Sequence, residues 1–280
     1  MMKKINDIIG DAKTIGIAGH LRPDGDCMGS CMSLYNYLKK NRPDLDVRVF
    51  LEFVDKKFNI IENTDQIITT GYDGTKFDLF ISLDTASLDR LGLNLPFYEN
   101  AKRTACIDHH ASNDGYADYN YILPKASSAS EVLYDLLDED LIDKSIAEPM
   151  YMGIAHDSGV FRFQSTTPKT MRIAANMIEK GVNVNMILEE TFFRKTYNQM
   201  MVTAKIQSEA VLALDGKCIY GYCTSEMMEE YGVTTKDLDA VVASIRNVDG
   251  VEVAMFLYQL SEDSYKVSLR SKNYVDVSKI

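Results

Sequence analysis

Residues 14–30 read TIGIAGHLRPDGDCMGS. A short apolar run (14–19) ends in glycine, and His20, Asp24 and Asp26 follow at once. The run has the look of a buried strand. The polar residues after it pose the question, because two carboxylates two residues apart repel each other. Either something holds them together or the stretch is only a polar loop.

The same plan recurs along the chain. FDLFISLD (77–84) is almost wholly apolar before its aspartate, and RTACID (103–108) repeats it; DVRVFLE (46–52) alternates as a strand does. Between these lie stretches of helical spacing. SCMSLYNYLKKN (30–41) has a basic end, and SASEVLYDLLDE (128–139) opens with a capping box from Ser128 to Glu131. KSIAEPMYMGIAHDSG (144–159) reads as another helix, and TTPKTMRIAANMIEKG (166–181) carries Thr and Pro at its start and Gly at its end. Strands alternating with helices predict an α/β fold with a mostly parallel sheet and helices on both faces. After about residue 185 the pattern changes to one long or broken helix, then KCIYGYCT (217–224) and a hairpin-like pair at 250–260 and 264–271. The expected division is a first domain over 1–185, a helical connector over 186–196, and a smaller α+β domain over 197–280.

Composition narrows the function. With 280 residues and 46% apolar content, the chain can build a full core. It has no apolar run near the ~18 residues that span a bilayer. Its N-terminus, MMKKINDIIGDAK, lacks a signal-peptide pattern, so a cytoplasmic location and no membrane partner are expected. Five cysteines without a C-x-x-C read as free thiols; Cys27 and Cys31 could share a helix face, but no second Cys/His pair follows at zinc spacing. A net charge of −11 argues against a large duplex-binding surface, while leaving room for a local basic pocket.

The chain has four histidines, His20, His109, His110 and His156, and three of them follow predicted strands. Asp84 ends the predicted strand 77–84 and Asp108 the predicted strand 103–108; Asp157 stands beside His156 at the end of a helical run. Ligands of open parallel sheets bind beyond the carboxyl ends of the strands. Three strands therefore deliver Asp and His to one edge, and the paired aspartates are tolerable if cations sit between them. Carboxylates and imidazoles without thiolate suit Mn²⁺, Mg²⁺, Fe²⁺, Co²⁺ or Zn²⁺. The set is larger than one tetrahedral zinc needs, so two metals sharing a carboxylate fit better.

HLRPDGDCMGS, LDTAS, IDHHASN and GIAHDSGVFRF, in this order, resemble the four motifs of the DHH phosphoesterase superfamily. SIRNVDGVEVAMFLYQ and KVSLRS, after residue 196, resemble the associated DHHA1 domain. Within that superfamily the chain is similar to the two-domain bacterial oligoribonucleases of the NrnA type. The resemblance implies a Mn²⁺-dependent phosphodiesterase and phosphatase, with Mg²⁺ or Co²⁺ as substitutes. It would cut short single-stranded RNA or DNA oligonucleotides to mononucleotides and remove the 3′-phosphate of pAp. It places one metal on His20, Asp24 and Asp84, and a second on Asp26, Asp84, His109 and Asp157, with Asp84 bridging. His110 would touch the scissile phosphate, and Asp108 would orient the histidines. Water activated between the cations would attack phosphorus, His110 would help stabilise the phosphoryl oxygens, and a ribose oxygen would leave.

Arg162 and Arg270 are the further candidates for substrate contact. Ser127, Ser128 and Ser130 could bring helix-start N–H groups to an anion, although a plain N-cap is the simpler reading. His156 reads as a pocket neighbour and not a ligand, and TFFRKTY (191–197) as connector packing. The DHHA1-like domain is expected to lack its C-terminal Gly-rich segment, and a homodimer is expected by analogy. The competing readings are a cyclic di-AMP or pApA phosphodiesterase and a nucleotide-binding sensor without turnover. A structural Ca²⁺ loop is disfavoured, because histidine is a poor Ca²⁺ ligand.

Overall fold

The computed structural model describes residues 4–238 and 241–280. It divides into two compact units, Met1–Arg194 and Lys195–Ile280.

The first unit is built on five strands, β1 (Thr14–Ala18), β2 (Asp46–Phe50), β3 (Leu79–Leu83), β4 (Thr104–Asp108) and β5 (Tyr119–Ile122). They lie in the order β2-β1-β3-β4-β5 and every pairing is parallel. The order reverses between β1 and β3, the place where such sheets leave a crevice for ligands. Its helices are α1 (Ile5–Ile9), α2 (Gly25–Asn41), α3 (Leu95–Glu99), α4 (Ala129–Leu136), α5 (Lys144–Asp157), α6 (Pro168–Glu179) and α7 (Val184–Leu188). A π-helical turn, Glu189–Phe193, continues α7.

Helix and loop cover the two sheet faces unequally. Ile15, Ile17, Leu79, Ile81 and Leu83 join one large apolar cluster with α1, α2 and α4 to α7. On the other face Phe50, Phe77 and Phe80 meet Phe97 and Tyr98 of α3 in a thin aromatic layer, with Phe50 and Phe97 centroids 4.3 Å apart. Rings fill this face because only a short helix and loops cross it.

Helix α2 begins at Gly25, earlier than its hydrophobic spacing suggests, because Asp24 caps it. Asp24 Oδ1 accepts the N–H groups of Asp26 (3.0 Å) and Cys27 (3.1 Å). Residues 25–38 are all buried, so α2 is wrapped by neighbours instead of presenting a polar face. Its closest partner is α5. A Cβ on Gly29 would fall 2.4 Å from the Pro149 carbonyl oxygen and 2.9 Å from Gly153 Cα, so glycine permits the two backbones to touch. Pro149 lacks an N–H and leaves the Ser145 carbonyl without its helical donor; Asn36 of α2 supplies one at 2.8 Å.

The capping box at α4 is half as expected. Ser128 Oγ accepts the Glu131 N–H at 3.0 Å, but the Glu131 carboxylate turns to Ser127 Oγ and Thr170 Oγ1, both at 2.7 Å. Glu131 thereby ties the start of α4 to α6. α6 starts as its Thr-Thr-Pro suggests, with Thr167 as cap and Pro168 in the first turn.

The second unit contains α8 (Tyr197–Glu209), β6 (Val211–Ala213), β7 (Cys218–Cys223), α9 (Ser225–Tyr231), α10 (Val241–Arg246), β8 (Val253–Ser261) and β9 (Ser264–Ser271). Its sheet is mixed, β6-β7-β8-β9, with only β7 and β8 parallel. Val202, Ile206, Val242, Ile245, Phe256 and Tyr258 form its core. β8 and β9 make the antiparallel pair the alternation predicts. The stretch 186–216 is broken, as π-helical turn, α8 and the short β6.

Candidate metal centre

His20 follows β1, Asp84 follows β3, Asp108 ends β4 and His109 and His110 come next, so the three middle strands converge on the switch-point crevice. Asp24 and Asp26 reach it from the start of α2 and Asp157 from the end of α5.

His20 Nδ1 donates to the Leu21 carbonyl at 2.7 Å. That bond fixes the tautomer and leaves Nε2 facing carboxylates, 3.4 Å from Asp84 Oδ2 and 3.8 Å from Asp24 Oδ1. His109 Nε2 lies 3.1 Å from Asp157 Oδ2, 3.5 Å from Asp84 Oδ1 and 4.0 Å from Asp26 Oδ2. Asp84 thus presents one oxygen to each half of the centre. Its backbone is left-handed at φ 51°. Bonds on both sides hold it there: Asp84 N–H donates to Ile107 O at 3.1 Å, and Thr85 O accepts Asn113 Nδ2 and the Tyr116 hydroxyl at 3.1 and 2.9 Å.

Asp26 is fully buried and its two oxygens accept the Ala129 and Ser130 N–H groups at 2.6 and 3.0 Å. The free N–H groups at the start of α4 do receive an anion, but it is the carboxylate of Asp26. Asp108 Oδ1 accepts from His110 Nδ1 at 2.8 Å and Oδ2 from Asn113 Nδ2 at 2.7 Å. Asp108 therefore orients His110 specifically.

The electrostatics show a surplus of negative charge. Burial, together with the charges of Asp84 and Asp157, pushes Asp26 well above the usual carboxylate range. Burial and Asp84 raise Asp157, opposed by His109. Burial would lower His20, yet Cys27 and the carboxylates of Asp24 and Asp84 push it up to about 12. His109 rises against burial to about 11, driven by Asp157 and Asp84. Asp24 falls below its ordinary value, where burial is outweighed by His20 and the two backbone N–H groups. The donor set of carboxylate oxygens and imidazole nitrogens fits divalent cations. Asp26, His109 and Asp157 bring their donor atoms within 4.8 Å of one another, as do Asp84, His109 and His110.

One donor was not anticipated. Cys27 Sγ, His20 and Asp84 also lie within 4.8 Å of one another. Its spacing after Asp24 and Asp26 was the available signal. Three pairings were not read from the sequence: Asn113 with Asp108, Asp26 as the anion at the α4 start, and Thr191, whose Oγ1 lies 2.9 Å from His156 Nε2.

The two candidate arginines are exposed, each with a local hydrogen bond to a main-chain carbonyl. Arg162 follows a left-handed turn, Gly159–Phe161, with φ 56°, 57° and 61°; it is exposed, with Nε donating to Gly159 O at 3.0 Å. Arg270 is exposed on β9 of the second unit, its Nη1 on Leu269 O at 2.9 Å. His156 lies between the rings of Phe58 and Phe192, with centroids at 6.0 and 5.2 Å. Among the described residues no helix is long and apolar enough to cross a membrane.

Comparison with known proteins gives three findings. Residues 14–154 match the family described as "DHH family, N-terminal domain"; Asp157 lies just beyond the match. The chain is similar to two proteins named bifunctional oligoribonuclease and PAP phosphatase NrnA. The one from Thermus thermophilus is 30% identical over 276 residues, covering 95% of this chain and 78% of the relative. The one from Bacillus subtilis is 26% identical over 267 residues, covering 94% and 82%. A solved exopolyphosphatase-related protein from Bacteroides fragilis superposes with a TM-score of 0.86 at 22% identity, covering 96% of this chain and 82% of that one, which supports the fold.

Proposed function

Because the chain belongs to the DHH family, we propose that it is a divalent-metal-dependent phosphoesterase that cuts short oligonucleotides to mononucleotides and removes the 3′-phosphate of pAp. The observation that carries this reading is Asp84, whose Oδ2 faces His20 and whose Oδ1 faces His109. A carboxylate shared in this way suits two cations, for which Mn²⁺ is our assignment. His20, Asp24 and Asp84 would hold one, and Asp26, Asp84, His109 and Asp157 the other. Cations bound there supply Lewis-acid charge for phosphoryl oxygens and acidify water.

The protein's own part follows from its hydrogen bonds. The α4 start fixes Asp26, and the Leu21 carbonyl fixes His20, so the donors need little reorganisation when charge changes. Asp108 raises the affinity of His110 for a proton and turns its Nε2 outward, where it can donate to a phosphoryl oxygen. Arg162 and Arg270 are assigned to the remaining phosphates of the substrate, and the DHHA1-like second unit to its nucleotide. The proposed setting is cytoplasmic, and a homodimer remains part of the proposal on analogy alone.

Product analysis with Mn²⁺ tests the reading, using pAp, pApA, cyclic di-AMP, a five-nucleotide RNA, a long RNA and pyrophosphate. Mononucleotides from the short RNA and AMP from pAp, with little action on the long strand, are expected. Turnover confined to cyclic di-AMP and pApA would replace the substrate class. Binding without turnover of any substrate would favour the sensor.

A further inference from the structure

Cys27 lies at the third residue of α2, and the Asp24 cap fixes its place through the 3.1 Å bond from its N–H. Helical side chains lean back toward the helix start, which here means toward His20 and Asp84. Its thiol is fully buried, with Sγ 3.8 Å from the His20 carbonyl and beside the Cys31 thiol. The nitrogen, sulfur and oxygen of His20, Cys27 and Asp84 are mutually within 4.8 Å. Asp24, which faces His20 Nε2, keeps more than half of its side chain in solvent and spends Oδ1 on two backbone N–H groups. The His20 end of the centre therefore has two alternative third donors, a wet hard oxygen and a dry soft sulfur.

We propose that Cys27 is a metal-selective ligand: a thiophilic divalent cation such as Co²⁺ or Zn²⁺ is held at this end by His20, Asp84 and Cys27 Sγ, while a hard cation such as Mn²⁺ uses Asp24 in place of sulfur. Soft ligands select for the first group and carboxylates for the second. On binding, the S–H bond of Cys27 breaks, its proton leaves to solvent and a sulfur–metal bond forms, with no change of oxidation state. The proposal rests on the metal-centre reading above and adds a donor to it.

The test uses the full chain stripped with chelator and titrated with Co²⁺. Sulfur ligation gives a near-ultraviolet charge-transfer band, while the visible d–d bands report Co²⁺ binding whatever its ligands. Wild-type protein and Cys31→Ala should show both. Cys27→Ala and the near-isosteric Cys27→Ser should lose the near-ultraviolet band and keep the visible ones. By competition, Zn²⁺ affinity should fall about tenfold or more in the Cys27 variants, and Mn²⁺ affinity by less than about twofold. A near-ultraviolet band that survives both Cys27 substitutions overturns the proposal, as do wild-type visible bands without it. If calorimetry finds no binding of either Co²⁺ or Mn²⁺, the metal centre itself fails, which is a different result from binding without sulfur.

Discussion

Asp108 and His110 are joined by a 2.8 Å hydrogen bond between Oδ1 and Nδ1, at the point where β4 enters the crevice. Asp108 is fully buried, and Asn113 takes its second oxygen. Burial would raise Asp108, but His110 and Asn113 hold it low, and Asp108 in turn raises His110. The protonated pair is a neutral ion pair in which Asp108 holds the half-exposed His110 imidazole by its Nδ1.

Asp108→Asn keeps the size and removes the charge. Carboxylates that orient a functional imidazole are worth about 10–100-fold, and kcat should fall by that order with KM little changed. The wild-type imidazole, its proton affinity raised, stays charged to higher pH; in the variant it loses its proton earlier. The alkaline limb of the kcat–pH profile should therefore move to lower pH. A limb that stays in place would sever the link between Asp108 and the reacting proton.

Asp84→Asn tests the shared carboxylate without adding strain, since asparagine tolerates the left-handed backbone at this position. In wild-type protein, Mn²⁺ at about 100 times its Kd adds about 2.7 kcal/mol of stability, which raises Tm by roughly 5–10 °C for a unit of this size. The variant should retain less than half of that rise and lose more than about 100-fold in turnover, beyond the usual effect of a supporting residue. Full retention of the Mn²⁺-induced shift would remove Asp84 from the centre.

Gly153→Ala reaches Asp26 from behind. The added Cβ would fall 2.1 Å from Ser130 Oγ and 2.7 Å from Asp26 Oδ1. Overpacking at such a site costs about 1–3 kcal/mol, and pushing Asp26 off the α4 start should weaken Mn²⁺ binding in calorimetry. Gly71→Ala is the control, because its nearest neighbour would be 3.8 Å away; its effect should stay within about 0.5 kcal/mol. Equal Mn²⁺ affinity in the two variants would show that Asp26 does not need its buttress.

The strands and most helices were legible because their signals are local. Apolar runs ending in Asp or His identified β1, β3 and β4, and Pro with Thr marked the start of α6. β5 was missed: Tyr119–Ile122 is a short, half-exposed edge strand, with too few buried positions to show a pattern. The start of α2 was also missed, since Gly25 and Asp26 read as loop until Asp24 is seen to cap the helix. The residues proposed to face metal could be anticipated from their places at the ends of strands and helices. What holds them could not: Asp26 finds its donors 103 and 104 residues along the chain. Cys27 was read as a free thiol sharing a helix face with Cys31, since its spacing matches no zinc pattern, although it stands one residue after Asp26.

His156 gives a pH test at a residue that is not itself an assigned ligand, with the charge of Asp24 opposing its shift. Thr191 Oγ1 donates its hydrogen to Ile187 O at 2.7 Å, so at the 2.9 Å contact His156 Nε2 must be the donor. A Cβ on Gly25 would fall 2.3 Å from Nδ1, so the other nitrogen is packed against the loop that carries Asp24 and Asp26. Burial, with Lys57 nearby, lowers the imidazole to about 4. An unfolded histidine takes its proton near pH 6.5. Between about pH 6.5 and about pH 4 the unfolded chain therefore holds the extra proton, and stability falls as pH drops through that window, by up to about 3 kcal/mol in all. His156→Gln can keep the bond to Thr191 without the titration. Urea unfolding of both proteins across this range, subtracted at each pH, cancels every group they share. The wild-type chain should lose more stability than the variant on going from pH 7 to pH 4. A flat difference would mean that His156 charges in place, and that the wall behind the Asp24–Asp26 loop is wetter than its packing implies.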